Sequence, residues 1–286
     1  MSREKPIAVI AEYALLSKCL DDVPPSAMKV IDTVEVFFRN PDRFQTEGLR
    51  APVVCTPASE KRALGRADLL VAIQKNDAHA LRELFPGKHV ITVPHASHQD
   101  IPRRGEPAAG TILYVGSSNA FNVHGLRGFL NHAWPEILKR VPEATLRIVG
   151  SVPRVDGPDD ARILHVGRVT DPQLALEYQT ANVVINPQVA GTGLKIKCVE
   201  ALSAGCPLVT NAAGADGLEE GAGSAFLLAR DWDEFARYVI RLLEEAETRR
   251  ALEAQASSFA RRMFSMESAF AELDAVLSAR RSRLHA

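Results

Sequence analysis

The stretch VVINPQVAGTGLKIKCVEALSAGCPLVTN, residues 183–211, decides the fold. A short run rich in Val and Ile is followed by a loop holding Gly191, Thr192 and Gly193. The chain then runs as a helical segment from about Leu194 to Ala204 and returns through Pro207 to a second apolar run. Strand, loop, helix and strand in that order is the unit that builds a parallel sheet covered on both faces. Gly205, just past the helix, is the expected C-terminal stop. The helix N-terminus, fed by a glycine loop at a strand exit, is where a phosphate would sit. Lys195 and Lys197 lie in its first turn, where cations oppose the helix dipole, and a bound diphosphate accounts for that placement. Two solvated lysines are the plainer reading, and would be preferred for a lone KxK pattern outside such a loop. Glu200, about a turn and a half into the helix, can accept both hydroxyls of a ribose. The alternative, a surface glutamate, fits poorly between Val199 and Leu202.

Working outward, the same alternation recurs along the chain, so the fold class is α/β. Strands are expected at residues 7–11, 29–31, 69–73 and 90–93, then at 111–115, 145–149, 163–166, 183–186, 207–210 and 225–228. Helices are expected near Glu60, over 75–84, over 125–140 with a kink or restart at Pro135, and almost continuously from Asp231 to the end. Residues 95–110, HASHQDIPRRGEPAAG, carry no apolar period and read as a linker. This divides the chain into domains at 1–104 and 105–286. A second glycine-bearing strand exit, LYVGSSNAFNVHG at 113–125, offers Gly116 for close backbone approach and Ser117, Ser118 and Asn119 as short polar groups suited to phosphate. Taken alone it reads better as an ordinary strand-to-helix turn with Asn122 near the N-cap; as part of a donor site, Asn122 joins these residues as a donor contact.

Bulk properties set the outer limits. With 34 Lys plus Arg against 35 Asp plus Glu, no bulk charge argues for nucleic acid or an anionic surface, so an anionic ligand must be held locally. Cys19, Cys55, Cys198 and Cys206 have no CxxC spacing and read as small buried thiols in a reducing compartment. The histidines show no HxxxH or HExxH spacing, so no metal site is expected. The N-terminus lacks the features of a signal peptide, and no apolar run is long enough to span a bilayer.

These residues together resemble a known family. From Thr111 to Val276 the order YVGS with NVHG, a Trp134-Pro135 helix, ATLRIVG, ILHVGRV, LALEYQTANVVINP and GTGLKIKCVEALSAGCPLVTNAAGADGL is similar to the donor-binding domain of family 4 glycosyltransferases of the GT-B fold. The resemblance implies two Rossmann-like parallel-sheet domains. It also implies retaining, metal-independent transfer of a hexose from a nucleotide-diphosphate sugar, with no cofactor. Glu200 falls on the second Glu of the E-x7-E motif, the ribose-holding position, whereas Thr192 stands where the first Glu would be. Lys195 and Lys197 would neutralise the diphosphate as the catalytic cations, replacing a charge usually carried after the first strand. Arg168 matches a position near the nucleobase. Gly214 lies in the segment 213–217 that matches a loop close to the donor.

The first half resembles its counterpart less. Four strands are expected where the family has about seven, with no glycine-rich first loop, so this domain is expected to be incomplete, truncated or reduced. In KVIDTVEVFFRNPDRF, residues 29–44, Val34 stands where the family often has an acceptor-side histidine and Glu35 replaces its Asp. The expected function is hexose transfer in polysaccharide, lipopolysaccharide or glycoconjugate assembly. It would take place in the cytoplasm, with peripheral association at the inner membrane face as one setting, onto a carbohydrate or lipid-linked acceptor. The rival is a catalytically impaired sugar-nucleotide-binding protein. An epimerase of this fold is disfavoured, because no acid and histidine pair is arranged for proton abstraction.

Overall fold

Consecutive buried aliphatic residues in short strands require cover on both sheet faces, and among the described residues every strand pairing is parallel. The computed structural model describes residues 6–39, 53, 55–97, 110–191 and 193–285. The expected linker falls mostly outside this set, as does Thr192. Two compact units emerge: the described parts of Met1–Ala96, Thr192–Leu194 and Met266–Ala286, and those of Ser97–Gly191 and Lys195–Ser265.

In the first unit, β1 (Ala8–Glu12), β2 (Met28–Asp32), β3 (Leu69–Ala72) and β4 (His89–Thr92) lie side by side in sequence order. A 3-10 helix (Ala14–Asp22), α1 (Pro57–Leu64) and α2 (Lys75–Leu84) accompany them. The two-residue period of the strands sends Ile31 and Leu70 to a core with Leu20, Leu64 and Leu81, and Val30, Leu69, Val71 and Ile91 to the opposite face. That second face is covered by Leu273 and Val276. Both belong to the chain's last helix, Met266–His285, so this helix belongs to the first unit, whereas the sequence reading carried the second domain through it.

The second unit holds β5 (Thr111–Gly116), β6 (Thr145–Gly150), β7 (Ile163–Gly167), β8 (Val183–Asn186), β9 (Leu208–Asn211) and β10 (Leu227–Ala229) in the order β10-β9-β8-β5-β6-β7. The chain builds outward from β5 through β6 to β7, then returns to lay β8 on the other side of β5. The order therefore reverses between β5 and β8, the switch point at which connections diverge and leave a crevice. The helices are α3 (Ala120–Gly128), α4 (Trp134–Arg140), α5 (Asp171–Thr180), α6 (Ile196–Ser203), α7 (Trp232–Glu244) and α8 (Ala246–Phe264), and the closing helix Met266–His285 becomes α9. Pro135 has the effect expected of it: lacking an N–H, it begins α4 behind a π-helical turn at Phe129–Ala133. The tail is three helices, divided at Glu245 and Ser265, and not one. The core gathers Tyr114, Phe129, Trp134, Ile148, Ile185 and Phe235. Of the four cysteines Cys198 and Cys206 are buried, but Cys19 is exposed and Cys55 lies between, so burial does not explain all four.

Candidate functional site

The two glycine-bearing exits singled out in the sequence are neighbours, because β5 and β8 pair directly at the switch point, Tyr114 opposite Ile185. Beyond β5, Asn119 caps α3 by accepting the Asn122 N–H at 2.8 Å. The cap is thus Asn119, and Asn122 is the third helical residue. Ser117, Ser118 and Asn119 are exposed while Gly116 and Asn122 are buried. The Asn122 side chain is committed within the protein: its Nδ2 donates to Ser117 O and Oγ at 3.2 and 3.1 Å, and its Oδ1 accepts from Lys197 Nζ at 2.5 Å.

Beyond β8 the loop needs glycine at two points, Gly191 with φ +112° and Gly193 with φ +77°, conformations that side chains other than glycine's rarely tolerate. Gly193 and the buried Leu194 group with the first unit. α6 then begins, with Lys195 as its N-cap and Lys197 in its first turn. Lys195 is buried, its ammonium 3.4 Å from Gly191 O. Lys197 lies over the Tyr114 ring, 5.3 Å from its centroid. Burial, reinforced by the like charge of Lys195, brings the Lys197 ammonium down to about 8. Among the described residues no carboxylate pairs with Lys197, whose acceptors are an amide oxygen and an aromatic face. Such an environment leaves a cation poorly compensated next to the unsatisfied N–H groups of a helix start. At the far end of α6, Gly205 takes φ +64° as the expected stop.

Glu200 is partly buried on α6 and accepts the Tyr178 hydroxyl at 2.9 Å. Arg168, just past β7, is exposed. Gly214 is buried on the loop after β9, where its N–H donates to Asn211 Oδ1 at 3.0 Å. A Cβ there would meet Thr210 Oγ1 and Asn186 Nδ2. The structure therefore gathers Gly116, Ser117, Asn122, Lys195 and Lys197 around the switch point. Sequence reading missed Tyr114, Tyr178, Asn186 and Thr210, polar groups on otherwise apolar elements. That contrast was the available signal.

In the first unit, Val34 has φ +56° at the exit of β2, the centre of a tight turn in which Glu35 N–H donates to Thr33 O at 2.5 Å. A β-branched residue in this region is strained by about 1–3 kcal/mol. The segment is pinned downstream by Glu60, a buried carboxylate that accepts the Phe37 and Phe38 N–H groups at 3.0 and 2.7 Å. Burial raises its pKa against the lowering effect of those two bonds.

Residues 109–245 match the family described as Glycosyl transferases group 1. An uncharacterized 44.6 kDa protein in the cps region of Klebsiella pneumoniae is 24% identical over 174 residues, 57% of this chain and 44% of that protein, so the chain spans less than half of that relative. Among solved structures, the sucrose-phosphate synthase tll1590 of Thermosynechococcus elongatus superposes with a TM-score of 0.74 at 17% identity, over 97% of this chain and 74% of that one. The Anabaena protein Alr3699/HepE, solved with UDP and glucose, gives 0.68 at 14% identity over 95% and 77%. The two parallel sheets and these likenesses make the fold α/β of the GT-B type. No helix among the described residues is long and apolar enough to cross a membrane.

Proposed function

We propose that this chain is a nucleotide-sugar-dependent glycosyltransferase whose donor diphosphate is held at the β5/β8 switch point. The observation that carries this reading is Lys197: a part-buried ammonium with neutral acceptors only, in the first turn of a helix, beside the buried Lys195. The charge of a diphosphate compensates Lys197 and the helix N-terminus at once, with Lys195 adding to the local positive field. Lys195 and Lys197 then stabilise the negative charge that builds on the departing diphosphate. Glu200 receives the ribose hydroxyls, Arg168 lies toward the base, and Gly116, Ser117, Ser118, Gly191 and the Gly214 loop border the donor. Support from outside the chain comes from the glycosyl transferase match and from UDP in the Anabaena structure.

In the finer reading a hexose is transferred with retention and without a metal, to a carbohydrate or lipid-linked acceptor in glycoconjugate assembly at the cytoplasmic membrane face. The cps-region relative supports this setting. Calorimetry with UDP, ADP and GDP and with the matching nucleosides tests the core of the proposal. Lys197→Ala should weaken diphosphate binding tenfold or more, about 1.4 kcal/mol, and leave nucleoside binding unchanged. Equal losses on both ligands would remove the diphosphate assignment. Donor consumption that persists in EDTA supports the metal-independent form. A second reading, a sugar-nucleotide-binding protein without transfer, is favoured by the hydrocarbon side chain of Val34 at the acceptor-side position. Binding with no turnover on any acceptor selects it.

A further inference from the structure

α5 carries a tyrosine that packing alone does not explain. Tyr178 is 1% exposed, yet its hydroxyl is aimed at α6, donating to Glu200 Oε2 at 2.9 Å and lying 3.5 Å from Lys197 O. The helix that presents it is held in rotation by its neighbour Glu177, whose carboxylate accepts from Nε and Nη2 of Arg147 on β6 at 2.6 Å each. From the other side, the Cys206 thiol donates to Tyr178 O at 2.9 Å. The backbone of Tyr178 and its hydroxyl are thus both held before any ligand arrives.

We propose that Tyr178 is the positioning residue for Glu200, holding the carboxylate in the rotamer that receives the ribose hydroxyls. The inference rests on the donor reading above. A glutamate on a helix surface samples several rotamers, and ordering it on binding draws on the ligand's affinity. Here a charge-assisted bond from a rigid aromatic donor orders it in advance. Burial and the adjacent Glu200 raise the Tyr178 pKa well above the usual phenol value, so the hydroxyl remains a donor across the working range.

The test compares a ribonucleoside diphosphate, whichever of UDP, ADP and GDP binds, with its 2′,3′-dideoxy analogue, by calorimetry. Tyr178→Phe should weaken the ribose ligand about tenfold and leave the dideoxy analogue unchanged. Combined with Glu200→Gln it should add little further loss, since the two residues act as one unit. Equal weakening of both ligands means that Tyr178 serves only the packing of α5, and overturns the inference. So does a full effect of Glu200→Gln with none from Tyr178→Phe. If Glu200→Gln itself spares the ribose ligand, or no diphosphate binds the parent chain, the donor reading fails instead. Tyr178→Met, which refills the space with a flexible apolar chain, carries the same comparison should the phenylalanine variant not fold.

Discussion

Lys197 holds opposed demands on one nitrogen. Burial favours the neutral amine and brings its pKa to about 8 from the ordinary 10.5, whereas a diphosphate favours the ammonium. Affinity for a nucleoside diphosphate should therefore be level below about pH 7 and fall as pH rises through 8, with proton uptake on binding near pH 8.5. Calorimetry in two buffers of different ionisation heat reads that uptake, and the same slope in Lys197→Ala would exclude this lysine as its source. Stability moves the other way. Between about 8 and 10.5 the unfolded lysine holds a proton that the folded one has released, so the ligand-free protein should gain stability as pH rises through that window. The KxK pattern announced positive charge at this helix start. It could not announce the acceptor, because Asn122 is 75 residues away in sequence and reaches Lys197 only through the pairing of β5 with β8. The sequence reading accordingly took Asn122 as a donor contact, while the structure engages its amide with Lys197 and Ser117.

At the scale of elements, α3 approaches the exit of β8 closely enough that a Cβ on Gly125 would lie 2.3 Å from Pro187 O. Backbone cannot yield as a flexible side chain does. Gly125→Ala should cost about 1–3 kcal/mol, read as a lowered urea midpoint, and should also weaken diphosphate binding because α3 carries Asn122. Stability loss with unchanged binding would separate α3 from the site. The start of α7 offers a second check. Asp231 accepts the Glu234 N–H at 2.7 Å, and Glu234 in turn accepts the Arg230 N–H and guanidinium at 2.9 Å, which hold its carboxyl at about 2. A depressed carboxylate contributes stability that is present above its unfolded value near 4.5 and is lost as pH falls through about 2. Glu234→Gln should lower the urea midpoint at pH 7 and flatten its decline toward pH 3. Period and capping chemistry made most helices legible, including the restart at Pro135. The tail's breaks at Glu245 and Ser265 were not, since neither Gly nor Pro marks them and the apolar stripe runs on across both.

For the molecule as a whole, the sequence specified strands but not their neighbours. Six apolar runs were readable in the second half, yet their order, and with it the switch point that sets Tyr114 of β5 beside Ile185 of β8, depends on pairings that no local pattern encodes. The last helix poses the same problem more sharply. Phe259 and Phe264 on α8 are buried with the second unit, whereas Leu273 and Val276, continuing the same stripe on α9, cover Val30, Leu69, Val71 and Ile91 of the first. An amphipathic stripe states that a helix will pack, not which sheet it will find. Two polar contacts fix the choice: Glu272 accepts the Thr92 N–H at the end of β4 at 3.0 Å, and Arg280 donates to Ser26 O at 2.9 Å. Ending the chain after Ser265 should thus uncover one face of the β1–β4 sheet while leaving the β5–β10 sheet covered. Each of the two lost side chains accounts for about 1–2 kcal/mol, enough to open a four-stranded sheet a large part of the time. Hydrogen exchange should then show lost protection across β2, β3 and β4 and retained protection across β5, β6 and β8. Loss confined to the second sheet, or equal loss in both, would assign the tail to the second unit after all. Because Lys197 and Glu200 lie in the unit that keeps its cover, the shortened chain should still bind the nucleoside diphosphate within a few-fold of the parent.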